Sequence, residues 1–235
     1  GGSGGTGGPM DLAATGGTGG AGGIAYGLYV VAAVNSTLQN NMVINATGGN
    51  GGNAGAGGNN AGAIGAGGIG GAAAGFYLST TILNPLPVSG NNISYVIGGA
   101  SGKSGGTSAS PTGGTAYGIY VTGAGYNSRV LSNNTVSNVI GGLGGTSNGT
   151  TIAGGIGGPS NGLYLVTAVN YTAANNTILS TIGGNGGAGS GSNNTSVAGA
   201  GGAGGVAAGI NIFSILTSPI TGNNISNVAS GAGGS

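Results

Sequence analysis

The sequence predicts an all-β fold, a parallel β-helix or β-solenoid of about five repeats of 43–48 residues with glycine-rich, polyglycine II-like segments between its strands. Three observations carry this. A short phrase returns five times, as GLYV from Gly27, GFYL from Gly75, GIYV from Gly118, GLYL from Gly162 and GINI from Gly209, at spacings of 48, 43, 44 and 47 residues. A second marker keeps the same beat: Asn40-Asn41-Met42, Asn91-Asn92-Ile93, Asn133-Asn134-Thr135-Val136, Asn175-Asn176-Thr177-Ile178 and Asn223-Asn224-Ile225. Between the second marker of one unit and the first of the next, glycine dominates. A fixed period in this range is the signature of stacked units that bury their apolar faces on one another. The whole chain, 1–235, is read as one repeat domain with units at 1–48, 49–97, 98–140, 141–182 and 183–235.

The first phrase alternates as a strand does. Leu28, Phe76, Ile119, Leu163 and Ile210 share a face with Val30, Leu78, Val121, Leu165 and Ile212, which leaves Tyr29, Tyr77, Tyr120 and Tyr164 as an outward row. The Asn-pair segments read as short strands too, with Val136 and Ile140, or Ile178 and Ile182, as inward candidates. No stretch has a capped 3.6-residue periodicity of the kind a helix needs.

The glycine-rich segments have a period of their own. In GGTGGAGG from Gly16, GGNGGAG from Gly183 and GAGGAGG from Gly199, paired glycines alternate with one variable residue. An extended helix with three residues per turn then carries side chains on one edge and leaves two bare edges for close backbone contact. The alternative is flexible surface loops, against which the length of these segments argues. Disorder of the whole chain fits poorly with 38% hydrophobic residues at recurring positions and 1% charge. Collagen requires Gly at every third residue with abundant Pro, and here there are 6 prolines and no such frame.

Composition narrows the chemistry. Asp11, Lys103 and Arg129 carry all the side-chain charge, and His, Cys and Trp are absent. Paired-carboxylate catalysis needs two acids, and a Ser or Thr nucleophile needs a basic partner, so the chain is not expected to be an enzyme. No metal site or cofactor is expected, because imidazole and thiolate are missing and one carboxylate is a poor cation cage. Two cations are too few to neutralise a nucleic-acid backbone. The glycine patterns that match dinucleotide motifs carry no weight, since no helix follows them. No membrane-spanning stretch or secretory signal is visible.

The phrases GIYV…NNTVSN and GLYL…NNTILS resemble the short repeats of right-handed parallel β-helix proteins of archaeal and bacterial cell surfaces and periplasm, over about half of the chain. The resemblance implies an Asn ladder at a turn, which suits Asn41, Asn92, Asn134, Asn176 and Asn224. The glycine inserts depart from that pattern. They look more like the polyglycine bundles of phage fibre tips or the glycine-rich tracts of mycobacterial surface proteins, so a unit is either two ordinary coils or one coil plus a glycine layer.

Ten Asn-x-Ser/Thr sequons stand at Asn35, Asn45, Asn92, Asn133, Asn148, Asn170, Asn175, Asn193, Asn194 and Asn224. That is about twice what chance placement of these residue types gives. One reading is an N-glycosylated exterior, with sugars supplying the solubility that charge does not. The other is that Asn, Ser and Thr are the polar residues that solenoid turns tolerate. The tyrosine row also has two readings, a binding stripe for glycans or a protein, or a cover for the adjoining glycine layer.

The chain opens on a glycine-rich half-unit and closes on an Asn-pair half-unit. Joining Ser235 to Gly1 would place the next GLYV 53 residues after Gly209, close to the internal spacing. The chain is therefore expected to be a mature form or part of a longer array, whose units stack head to tail. The leading expectation is a non-catalytic structural subunit of an extracellular filament, sheath or surface layer, a homopolymer bearing N-glycans. The runner-up is a cell-surface or phage-fibre-type adhesin that binds glycans or a receptor. An ice-binding solenoid ranks third, since regular Thr-x-Thr ladders are missing. Ile119→Asp is expected to disrupt a unit and its neighbours, and Ser147→Asp in a glycine-rich turn to be mild.

Overall fold

A computed structural model describes residues 1–6, 16–31, 36–55, 65–79, 87–105, 108–123, 129–147, 152–166, 168–169, 171–190, 199–213, 215–216 and 219–235. Each repeat is one coil. The first holds β1 (Ala25–Val30), β2 (Leu38–Gln39) and β3 (Met42–Thr47), and the second β4 (Ala73–Ser79), β5 (Val88–Ser89) and β6 (Asn92–Ile97). The third holds β7 (Ala116–Thr122), β8 (Arg129–Ser132) and β9 (Thr135–Ile140). The fourth has β10 (Ser160–Leu165), β11 (Ala168–Val169), β12 (Tyr171–Ala174) and β13 (Thr177–Ile182). The fifth has β14 (Ala207–Ile212), β15 (Ile215–Leu216), β16 (Ile220–Thr221) and β17 (Asn224–Ala229).

Equivalent strands of successive coils pair in parallel. Among the described residues they form three five-stranded sheets, β1-β4-β7-β10-β14, β16-β12-β8-β5-β2 and β17-β13-β9-β6-β3, with β11 and β15 as a small extra pair. This is a parallel β-solenoid. The middle sheet has no marker in the sequence, because its strands are as short as Leu38–Gln39 and directly precede the Asn turn.

The first sheet sends Phe76, Ile119 and Leu163, with Leu78, Val121 and Leu165, into the core, where each is no more than 2% exposed. Val88, Leu131, Tyr171 and Ala173 close it from the middle sheet. Fully burying side chains of this size contributes about 1.5–3 kcal/mol each, and stacking spreads that gain along the axis.

The third sheet corrects the simple alternation. Its inward pairs are Val136 with Val139 and Ile178 with Thr181, all 0% exposed, while Ile140 and Ile182 are half-buried. The cause is a column of left-handed residues, Asn45, Tyr95, Asn138, Ser180 and Asn227, with φ between 53 and 63°. Residues three apart on a regular strand face opposite ways; a left-handed residue between them resets the alternation and turns both inward.

The glycine of the recurrent phrase has a packing role. A Cβ on Gly27, Gly75, Gly118, Gly162 or Gly209 would overlap Val43, Ile93, Val136, Ile178 or Ile225, the first inward residue of the third-sheet strand in the same coil. First and third sheets therefore meet backbone against side chain, which only glycine permits.

The glycine-rich segments build two layers beside the coils. Segments that lead into the first sheet bond to one another in parallel, as in Gly19 N to Ala66 O at 2.9 Å and Gly22 N to Ile69 O at 2.9 Å. Segments that leave the third sheet do likewise, through Gly48 N to Ile97 O at 2.9 Å and Gly51 N to Ala100 O at 2.8 Å. The layers join antiparallel, through Gly20 N to Gly5 O and Gly23 N to Gly2 O, both 2.7 Å. Bonds recur every third residue, the period of a polyglycine II-type helix. In a regular triplet such as Gly19-Gly20-Ala21, one glycine N–H bonds within the layer, the next bonds across, and the third residue carries a side chain outward. A repeat is thus one coil plus two glycine segments.

Candidate functional surfaces

An asparagine ladder runs along the turn between the middle and third sheets. Asn41 N and Nδ2 donate to Asn91 Oδ1 at 2.9 and 3.0 Å, and Asn91 N and Nδ2 to Asn134 Oδ1 at 3.1 and 2.8 Å. Asn134 repeats this onto Asn176, and Asn176 onto Asn223. The other Nδ2 hydrogen goes down one coil, to the carbonyls of Leu38, Val88, Leu131 and Ala173. The rungs in coils two and five are thus Asn91 and Asn223, not Asn92 and Asn224. The preceding turn residue is left-handed, and Gly90 and Gly222 fill that place where the other coils use Asn40, Asn133 and Asn175. The first Asn of the pair is therefore a rung in two coils and the turn residue in three. The distance to the inward apolar residue shows this, being two in both NNI and NTV.

Tyr29, Tyr77, Tyr120 and Tyr164 stand in one register row on the outside of the first sheet, continued by Asn211. Sequence reading missed Tyr26 and Tyr117, which lie three residues before Tyr29 and Tyr120 and join the row because Gly27 and Gly118 break the alternation. The six rings form one stack with centroids 4.8 to 5.3 Å apart. Tyr29–Tyr77, Tyr117–Tyr120 and Tyr120–Tyr164 are face to face, so the rings turn largely to one another. The stack ends on the hydrogen-bonded pair Asn211 Nδ2 to Asn161 Oδ1, 3.0 Å. Burial, then the neighbouring phenols, push the hydroxyls of Tyr26, Tyr77 and Tyr117 above the usual tyrosine value.

A third surface is the outer face of the glycine layer that leads into the first sheet. In-layer bonding aligns Ala21, Ile69, Thr112, Ile156 and Ala203 in one row, and Ile24, Ala72, Thr115, Pro159 and Val206 in the next. Among the described residues it carries no charge, and Ile24, Ile69, Ile156 and Val206 are 51–72% exposed.

Five sequons, Asn45, Asn92, Asn133, Asn175 and Asn224, are exposed on the third-sheet side or at its turn. Asn35, Asn148, Asn170, Asn193 and Asn194 lie outside the described residues, as does Asp11. Ser147 is not in an open turn: it is 6% exposed and bridges Ser104 in parallel.

No family model matches the chain, and no curated protein matches it. Among solved structures it is similar to the nine-helix polyproline II bundle antifreeze protein of the springtail Granisotoma rainieri, at 19% identity and a TM-score of 0.15, over 84% of this chain and 95% of that one. It is also similar to the periplasmic alginate epimerase AlgG, at 11% identity and a TM-score of 0.20, over 86% of this chain and 47% of that one. The A-module of the Azotobacter vinelandii mannuronan C-5 epimerase AlgE6 gives 14% identity and a TM-score of 0.12, over 86% of this chain and 58% of that one. The chain spans about half the length of the two epimerases.

Proposed function

We propose that this chain is a non-catalytic structural element of an extracellular filament, sheath or surface layer, extended by stacking coil on coil. The observation that carries this is the complementarity of the two outermost coils. Asn223 keeps its backbone N–H and an Nδ2 hydrogen directed along the axis, the donors that every inner rung uses on the next Oδ1. Asn41 offers Oδ1, and the inner pattern would aim its remaining Nδ2 hydrogen at the carbonyl equivalent to Ala173, that of Ile220. Ile225 and Val228, 43% and 40% exposed, stand in register with the buried Ile178 and Thr181. A further coil, from the same polypeptide or a second copy, buries them and adds one rung.

Near-zero net charge removes the repulsion that would oppose such contacts. N-glycans on the exposed sequons supply solubility in this reading. Asn133 and Asn175 occupy the same turn position on successive coils, about 4.8 Å apart, so neighbouring glycans there exclude each other. Electron microscopy and sedimentation of the 235-residue chain at micromolar concentration test the proposal. Filaments that disappear in an Ile225→Lys/Val228→Lys variant support it; a dispersed monomer of the unaltered chain sinks it.

The outer glycine-layer face favours a second reading, adsorption to ice. Its regular rows of Ala, Ile and Thr, with no charge among the described residues, suit a surface that must order water without binding ions. Thermal hysteresis that is lost on Ile69→Lys/Ile156→Lys supports it, and none in the unaltered chain removes it. The tyrosine row fits an adhesin less well, because its ring faces are engaged with one another.

A further inference from the structure

The six-tyrosine stack has a chemical property that packing alone does not use. Cys and Trp are absent and Met numbers 2, so tyrosine is the chain's main one-electron reductant. Two members, Tyr26 and Tyr29, are 40% and 53% exposed at the open end of the row, where an oxidant reaches them. From there ring contacts of 5.1 Å to Tyr77, then 4.8 Å to Tyr120 and 5.3 Å to Tyr164, run through four coils. Parallel pairing fixes these neighbours in register, so partners for coupling are already in van der Waals contact.

We propose that the tyrosine stack is an oxidative cross-linking site, at which peroxide and a haem peroxidase join neighbouring rings into dityrosine and staple successive coils. Each phenol gives up its hydroxyl proton and one electron. Hydrogen peroxide takes two of each and leaves as two waters. The two phenoxyl radicals then form one carbon–carbon bond between ring positions ortho to oxygen, and the ring hydrogens move to the oxygens, restoring both phenols. The net change is the loss of two hydrogens per link. Tyr95 is 50% exposed on another sheet, enters no ring pair among the described residues, and serves as the internal control.

The test uses the chain at high dilution in the Ile225→Lys/Val228→Lys background, so that assembly plays no part, with a haem peroxidase and hydrogen peroxide. Dityrosine fluorescence, intact mass and mapping of digested peptides are read. The expected result is a monomer lighter by two hydrogens per link, with Tyr29–Tyr77, Tyr77–Tyr120 or Tyr120–Tyr164 as the joined pairs. Tyr77→Phe/Tyr120→Phe/Tyr164→Phe, which leaves no tyrosine pair between successive coils of the stack, loses this product while keeping the packing of the rings, and Tyr95→Phe keeps it. Three outcomes overturn the proposal: dimers as the only cross-linked product, equal yield from the urea-unfolded chain at the same dilution, or loss of product in Tyr95→Phe.

Discussion

The side-chain amide of Asn134 donates to Oδ1 of Asn176 at 2.9 Å, and both residues are fully buried. Asn134 also accepts from Asn91 N and Nδ2 and donates to Val88 O. Asn134→Ala strands several buried polar groups at once, at about 1–3 kcal/mol each. Urea unfolding is expected to show a loss of about 3 kcal/mol or more. Asn41→Ala, at the exposed first rung, removes donors from one acceptor and should cost about 1 kcal/mol or less. Similar losses from both would contradict the ladder as a buried network.

Gly118 tests the contact between the first and third sheets. A Cβ there overlaps Val136 Cγ1 and comes within 2.5 Å of Gly162 O. Gly118→Ala should destabilise by about 1–3 kcal/mol, the usual cost of overpacking. Val136→Ala leaves a cavity and is also destabilising. The double variant should lose less than the sum, because the new methyl enters the space that the valine vacates, and the coupling energy from denaturation measures this. Strict additivity would mean that the two sites do not meet.

Much of the architecture was legible in the sequence, and the misses share one physical cause. The period, the parallel strands, the one-sided burial of Phe76, Ile119 and Leu163, and the glycine layer follow from repetition and from side chains that fit one face. Misassigned were Ile140, Ile182, Asn92, Asn224 and the two extra tyrosines, each beside a residue that breaks strand alternation. A left-handed Asn138 or a tight Gly118 is invisible to a period-two template, since the conformation is selected by tertiary contacts and not by local propensity. Alignment on the inward apolar residue rather than on the Asn pair would have placed the rungs.

Ser147 requires a revised expectation. At 6% exposure, paired with Ser104 inside a glycine layer, it has no room for a solvated carboxylate. Ser147→Asp is therefore expected to be strongly destabilising, as Ile119→Asp is, because each buries an unpaired charge. Thr112→Asp, on the outer face of the other layer, should stay within about 0.5 kcal/mol of the unaltered chain. Thermal melts of the three variants give the order, and a mild Ser147→Asp would argue that the layer opens there.

The tyrosine stack sets the behaviour in alkali. Burial and neighbouring phenols raise the folded-state values of Tyr26, Tyr77 and Tyr117 above 10.0, so the folded state holds these protons more tightly than the unfolded one. By linkage, stability is unaffected below the unfolded value and falls as pH rises from there through the folded value. Urea midpoints should be flat to about pH 9 and then drop. In the Tyr26→Phe/Tyr77→Phe/Tyr117→Phe variant the drop should shrink; an unchanged drop would place its origin outside these rings.

Tyr95 is the aromatic member of the left-handed column of the third sheet, at φ 56°, where Asn45, Asn138 and Asn227 occupy the same place in other coils. An L-residue in that conformation brings Cβ against its own carbonyl, a strain of about 1–2 kcal/mol that Asn partly relieves by local hydrogen bonding. Tyr95 is 50% exposed, so its replacement forfeits little buried area. Tyr95→Asn should therefore stabilise the chain by about 0.5–1 kcal/mol. Tyr95→Val, whose β-branch suits an ordinary strand but not this turn of the backbone, should destabilise it. Urea unfolding of the two variants separates the cases, since a strand of regular geometry would rank valine above asparagine.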